Sequence, residues 1–567
     1  MHGRGCKRPR SRWIALRLVL PALLLAGGFA LAQEGGDQIQ VEILYAKSMR
    51  PLEKEGQSIH RLLGEVALSH DSAVMHCDSA YVYPETNSFE AFGNVRVRSR
   101  QFRLWGSAMH YDGNSGQGHV TGKIVKLHDS VDKTTLYSDA LYFTTQRNLV
   151  WYSTWGHLLT DQSDIRSRRG SYDADRDLVT VSDSVLYRSE EVTAVGDSLQ
   201  YAQSLERIYF WGPTRVYTDE SMGYGQKGWY DRNAGHGILE GQVAVDQGKG
   251  RIYADWAFFD RSKDFVEAKG QVVAVDSMEN YRLYAGHARF WNSPRRMIAQ
   301  EQPMIWAVDT SSAKRDTLYL RADRFVGWQE PAKGPAPRPN DSVYLGRAEG
   351  SIRAFRQDLQ LVADTAFYNG QDSTVIAWRE PFPYVWSKQL QVSSRLITAH
   401  LSEGLDSMHF QDKVLVAQEG DSIHYDQMSG KDMWAYLHEG EMQRVEVKGE
   451  GKVIFFMTDE EEVIAVNRIE SPHFILHMKE QEAERITFYD NPHSLVTPIQ
   501  DTQTEDRELF GFKWHGDDLR PHGPRDIIPP WLKDLEFYIP LARQATRYRA
   551  ADRKLLERAR RDPRIPE

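Results

Sequence analysis

The chain has 567 residues, a formal net charge of −9, 41% apolar residues and 26% charged ones. An acidic balance of this kind excludes a basic footprint for nucleic acid and gives no global attraction to an anionic partner. With two cysteines, Cys6 and Cys77, there is no disulfide framework, and stability must come from packing.

Taken in chain order, the first element is a processing signal. Arg4, Lys7, Arg8, Arg10 and Arg12 precede an apolar stretch from Leu18 to Leu31 that closes on Ala30-Leu31-Ala32. A basic region, a short apolar core and a small-x-small site predict a signal peptide over residues 1–32, cleaved after Ala32. Ser11 separates Arg10 from Arg12, so no twin-arginine pair directs export. No cysteine follows Leu25-Ala26-Gly27 to carry a lipid. Cleavage removes six basic residues, those five and Arg17, leaving 535 residues, a charge of about −15 and Cys77 as the remaining thiol. The expected location is the periplasm, with association to the outer membrane left open.

From residue 33 to 325 the chain repeats itself. An aromatic closes a short alternating run at Tyr83, Tyr111, Phe143, Tyr172, Tyr201, Tyr230, Phe259, Phe290 and Phe325, and again at Tyr368. The intervals are 28, 32, 29, 29, 29, 29, 31, 35 and 43, and a fixed period of this length marks a repeat architecture. Each unit reads as a strand such as Arg251 to Phe259, a polar turn such as Asp260 to Asp264, and a second strand with a central glycine, Phe265 to Asp276. Period-two alternation predicts half-buried strands, and a glycine inside one predicts a bulge or sharp bend. Alternation places Phe89, Ala91, Val95, Val97, Val266, Ala268 and Val272 on an inner face and Arg96, Arg98, Glu267 and Lys269 on the outer one. Val243 occupies the position of Val272 in the preceding unit. Stacked units of this kind bury a continuous apolar seam. Such an interior is either a dry core or a channel for an apolar chain.

Residues 326–341 hold the Pro-rich run Pro331 to Pro339, a stiff loop or linker. A second, diverged β-module is expected over 342–500, returning most clearly at Val362 to Tyr368. Residues 501–567 form a tail in which Leu541 to Arg561 reads as a basic amphipathic helix. The predicted fold class is all-β: a tandem-repeat, solenoid-like stack of short antiparallel strands with a helical tail.

Motifs for catalysis and cofactors fail on context. Gly223-Tyr224-Gly225-Gln226-Lys227-Gly228 matches a dinucleotide fingerprint by letter, but no helix follows to meet a pyrophosphate. Asp173-Ala174-Asp175-Arg176-Asp177 resembles the start of a calcium loop, yet Leu178 stands where glycine is required and Ser184 where the bidentate glutamate is. Neither zinc spacing nor a Gly-x-Ser-x-Gly elbow is present. A lipid-facing barrel would put Arg96, Arg98, Glu267 and Lys269 against hydrocarbon, which is costly. No cofactor, no metal and no enzyme activity are expected. The alternatives left are a structural or adhesive β-solenoid and, less favoured, a polysaccharide-active β-solenoid with an acid pair among its many carboxylates.

The repeated small-x-x-aromatic-Asp strand, polar turn and apolar-Gly-x-Val-x-Val strand are best seen in Ser107 to Asp112, Trp229 to Asp246 and Asp255 to Asp276. In these features the chain resembles the lipopolysaccharide-transport bridge proteins with OstA-like (organic-solvent-tolerance, LptA-like) domains, well over Ile39 to Asp309 and poorly over Ser342 to Thr497. That resemblance implies an open, twisted β-jellyroll. It implies lipopolysaccharide, or another acylated envelope lipid, as ligand, with its acyl chains held inside. It further implies end-to-end self-association and docking to jellyroll-containing inner- and outer-membrane transport proteins. On this reading the lipid-groove candidates are Tyr83, Tyr111, Phe143, Tyr172, Tyr201, Tyr230, Phe259 and Phe290, with Phe89, Val95, Val97, Val243, Val266 and Val272. The chain departs from the family in its greater length, its Pro-rich insert and its basic tail.

Overall fold

The computed structural model describes residues 40–532, apart from short stretches at 55, 71, 101, 131–132, 161–162, 191, 219–220, 247–249, 277–280, 310–315, 334–340, 402–404, 421–422, 439–440, 461 and 480–481, together with Asp552. The expected signal peptide lies outside these residues, as do most of the Pro-rich run and, Asp552 excepted, the C-terminal helix. The described residues form 36 strands and one α-helix, the single turn Thr504–Arg507. The pairings are antiparallel between strands near in sequence, the all-β class that alternation without helical periodicity implies. No helix among the described residues is long and apolar enough to cross a membrane.

The chain divides into two compact units: residues 1–242 with 541–567, and residues 243–540. The Pro-rich run falls inside the second, where its flanking strands pair as a hairpin with Pro331 opposite Ser342.

In the first unit the strands Ala73–Tyr83, Ser88–Arg98, Phe102–Asp112, Gln117–Asp129 and Thr135–Thr144 each pair with the next. Every ladder breaks register once near its middle, for example between Phe92 and Val95. There Gly93 and Asn94 take successive left-handed conformations, φ 75° and 45°, and turn the strand through a corner. A side chain at Gly93 would sit 2.3 Å from Asp78 Oδ2, so glycine is needed for space as well as for φ. Gly64–Glu65 does the same in the strand Gln57–His70. The corners fold the sheet into two arms, whose inner faces share one apolar core containing Phe89 and Ala91 from before the corner and Val95 and Val97 from after it.

The strands join at short turns. Pro84–Thr86, Thr145–Arg147 and Gln203–Leu205 are single 3-10 turns, each followed by a residue at positive φ: Asn87, Asn148 and Glu206. These turns and the corners together set the repeat length.

The second unit uses the same device at Gly270–Gln271, Gly350–Ser351 and Gly449–Glu450. Its turn Arg261–Lys263 is capped by Asp260, which accepts from the Ser262 amide at 3.0 Å. Its cores gather Ala254, Ala268, Val272, Leu283 and Ala285 and, further on, Val392, Phe410, Val416, Val447 and Phe474.

One feature of this unit has no counterpart in the repeat. Residues 501–532, expected as part of a tail, lie as a strap across outward-facing side chains. Leu509 packs with Ile454, Phe456 and Val466, and Leu519 with Val362, Tyr384 and Trp386. Three buried glutamines tie it down. Gln427 donates to Arg507 O at 3.0 Å and accepts from the Leu509 amide at 2.8 Å. Gln391 donates to Lys513 O at 2.8 Å and accepts from the His515 amide at 2.7 Å. Gln360 accepts from Arg520 Nε at 2.9 Å. The strap thus meets the strands in reverse chain order.

Candidate functional site: the mouth of the folded interior

The 29-residue recurrence has a direct structural meaning in the first unit. Cross-strand pairs line up Val82, Phe89 and Tyr111, then Gly118 and Phe143, then Val150, Tyr172, Val179 and Tyr201, and finally Ile208 and Tyr230. The anchor aromatics form one column along the inner face of one arm, at the strand ends away from the corners. Ring contacts link successive members, Phe89 to Tyr111 at 5.7 Å and Tyr111 to Phe143 at 6.0 Å between centroids.

Tyr83 does not belong to this column. It pairs with Ser88, one step out of phase with Val82 opposite Phe89, and its hydroxyl donates to outward-facing Glu90 at 3.3 Å. One step along a strand reverses the side chain, so Val82 takes the place expected for Tyr83. The interval from Val82 to Tyr111 is then 29 and not 28.

On the opposing arm, Val97, Leu104, Leu127, Leu136, Leu158 and Ile165 form the facing column. Between the two runs the corner, and the least exposed residues lie beside it, although Val82, Phe89, Tyr111, Val97 and Leu104 in the two columns are buried as well. Val66 and Val125, beside the corners, are 0% exposed and Val95 is 1% exposed. Toward the strand ends Phe143, Leu127 and Leu136 are only partly buried against the same core, as are Tyr172, Tyr201, Val216, Tyr230 and Leu158 in the neighbouring one. The interior therefore has a dry apex, and an apolar mouth that is half-open from Leu127 and Phe143 onward.

The expected residues divide accordingly. Phe89 and Tyr111 are buried in the column, and Val95 and Val97 are buried at and beside the apex. Phe143, Tyr172, Tyr201 and Tyr230 line the mouth. In the second unit Phe259, Val266 and Phe290 are aligned across strands. Val243 and Val272 each follow a corner and are buried.

The rim is polar. Tyr172 Oη donates to Asp177 at 3.4 Å and Tyr201 Oη to Glu206 at 2.8 Å, while Arg232 reaches both Tyr201 Oη and Glu206. Burial, reinforced by the bond to Glu206, pushes the Tyr201 hydroxyl well above its usual range. These tyrosines present an apolar body inward and a hydrogen-bonded tip to water. Among the described residues no cluster of three or more His, Cys, Asp or Glu side chains is placed to hold a metal ion.

Residues 38–197 match the family model of the OstA-like proteins. This segment is OstA-like. It contains the complete apex of the first core and the mouth as far as Tyr172. A solved chain titled as LptH of Pseudomonas aeruginosa, the LptA-homologous periplasmic component of the lipopolysaccharide transport device, is similar at 14% identity. The similarity covers 20% of this chain and 93% of that one, with a TM-score of 0.19. No curated protein matches the chain.

The strap is what sequence reasoning missed. Gln360, Gln391 and Gln427 stand at outward positions of alternating strands, where a polar residue predicts solvent. Their neighbours Val362 and Trp386 carried a signal, since both are apolar at outward positions.

Proposed function

We propose that the chain is a periplasmic component of lipopolysaccharide transport that shields acyl chains along the apolar mouth of its folded sheet. The observation that carries this reading is the partly buried aromatic run Phe143, Tyr172, Tyr201 and Tyr230 beside a dry apex, beginning inside a segment of OstA-like sequence. Acyl chains lie between the anchor column and the facing Leu127, Leu136, Leu158 and Val216, and their sugars and phosphates stay in water. Each buried methylene contributes about 0.8 kcal/mol, so partial burial of several chains holds the lipid without a basic groove. Transfer on this reading is passive, and no group of the chain is assigned a catalytic role.

The sheet's open strands support partner docking. Glu42–Tyr45 and Ser48–Lys54 both pair with Gln57–His70 and expose Leu44, Tyr45, Met49 and Leu52. In the second unit Glu482–Tyr489 and His493–Pro498 both pair with Glu462–Lys479 and expose Ile486, Tyr489, Leu495 and Val496. Unpaired strand edges with apolar side chains accept a further strand. The partners assigned here are jellyroll domains of membrane-bound transport proteins, or a second copy of this chain.

Photo-crosslinking in living cells tests the groove. A crosslinking residue at Tyr201, Tyr230 or Phe259 is expected to capture lipopolysaccharide, and one at outward-facing Arg96 or Lys269 is not. Equal capture on both faces, or none at the three anchors in folded protein, overturns the reading.

A further inference from the structure

On the outer face of the first unit a cross-strand column runs from Arg96 through Lys126, His157, Leu186 and Val195 to Arg215. Its first member is exposed, as an outward position should be. From His157 onward the same face is largely buried, with Arg166 between His157 and Leu186 keeping 21% of its side chain exposed. His157 is 4% exposed, Leu186 5% and Val195 7%, and Met222, opposite Tyr217, is 1% exposed. None of these faces the inner core, which is built from Val185, Tyr187 and Ala194. His157 Nε2 bonds to Asp164 at 2.8 Å, but its Nδ1 is buried without a hydrogen-bond partner. A buried polar atom in that state is costly.

Asp552 is the described residue that reaches this face from the far end of the chain. Its carboxylate takes two bonds from Arg215, Nε at 2.7 Å and Nη2 at 3.0 Å, and a third from the Tyr217 hydroxyl. Its side chain is 7% exposed. A carboxylate so buried needs such a partner. The residues around it in sequence carry an apolar pattern. Leu541, Ala545, Tyr548, Leu555, Leu556 and Ala559 stand 11, 7 and 4 positions before it and 3, 4 and 7 after it, the spacing of one helical face. Arg543, Arg547, Lys554, Arg558 and Arg561 fall elsewhere around such a helix. From Arg215 to His157 is four strand spacings, about 19 Å, and eleven helical residues span about 17 Å.

We propose that residues 541–561 dock on this outer face as an amphipathic helix, with Asp552 seated in Arg215 and Tyr217 as its buried anchor. The face is then an interaction site occupied by the chain's own C-terminal segment. Leu186, Val195 and Met222 meet its apolar stripe, and Arg543, Arg547, Arg558 and Arg561 fall on its far side. The contact is specific because one charge in the stripe matches one charge on the sheet, so a shifted helix would bury both unpaired.

Limited trypsin digestion of the full mature chain tests this, since the segment is rich in cleavage sites. In the wild type the sites within 541–561 are expected to be protected. Asp552→Ala and Arg215→Ala should each speed their cleavage at least tenfold, and the exchange Arg215→Asp with Asp552→Arg should restore part of the protection. Leu555→Asp alters no residue of the sheet and is expected to release the segment with the sheet's circular dichroism unchanged. Wild-type cleavage at the rate of the variants overturns the docking. Protection that survives both Asp552→Ala and Leu555→Asp overturns it equally.

Discussion

Asp164 shows how a single outward residue is set by its neighbours. Its carboxylate accepts from His157 at 2.8 Å and from Arg166 Nε and Nη2, both at 3.1 Å. Burial pushes the carboxyl up, but the bonds from His157 and Arg166 outweigh it and bring it down to about 2. A carboxylate lowered on folding stabilises the native state above its unfolded value near 4, and that contribution is lost as the pH falls toward 2. Denaturation of the wild type and of Asp164→Asn should therefore differ by on the order of 2 kcal/mol at neutral pH and converge between pH 4 and 2. A gap independent of pH would show that the ion pair is not its source. At the same scale, Cys77 is buried in the first core, and burial raises its thiol to about 11, as its place in an alternating run suggests. Tyr83 and Val82 mark the limit of such reading. Both fit the end of the strand, and only the pairing with Phe89 and Ser88 separates them.

At the scale of the element, the corner is the repeated part. Gly270 has φ 73°, and a Cβ there would lie 2.5 Å from Asp255 Oδ2. Gly270→Ala should cost about 1–3 kcal/mol, combining left-handed strain with the clash, as read from urea denaturation. Gly523 has an extended backbone and nothing within 4 Å of a Cβ, and its change to alanine should stay within about 0.5 kcal/mol. Equal effects at the two sites would mean that the corner is not a constrained position. The glycine corners were legible because a glycine inside an alternating run has few other uses. The corners at Asp183–Ser184, Glu301–Gln302 and Asp412–Lys413 also take positive φ but carry no glycine. There the backbone conformation is imposed by the pairing on either side, and no local residue announces it.

At the scale of the whole molecule, residues 501–532 serve as cover for the second unit, and in the first unit Asp552 meets the outer face at Arg215 and Tyr217. Gln391 is the test of the strap. Its replacement by leucine leaves Lys513 O, the His515 amide and Trp386 Nε1 without their partner. Each buried group left unsatisfied costs about 1–3 kcal/mol. Gln391→Leu should therefore destabilise the second unit by at least about 3 kcal/mol in thermal or chemical denaturation. A neutral result would mean that the strap is not held through its backbone.

The amino-acid sequence by itself determined the strand class, the repeat, the position of the glycine corners and the face to which Phe89, Val95, Val97, Val266 and Val272 point. All of these follow from alternation and spacing along a strand, which are local. It could not distinguish the apex from the mouth, because Val95, Phe89 and Phe143 are equally apolar, and how far each is buried depends on the strands that pack against it. Nor could it show that Leu186, Val195, Trp386 and Gln391 are covered on the outer face. The described groups that meet that face come from more than a hundred residues further along the chain. Contact at such separation leaves no periodic trace in either segment, so only the tertiary structure decided it.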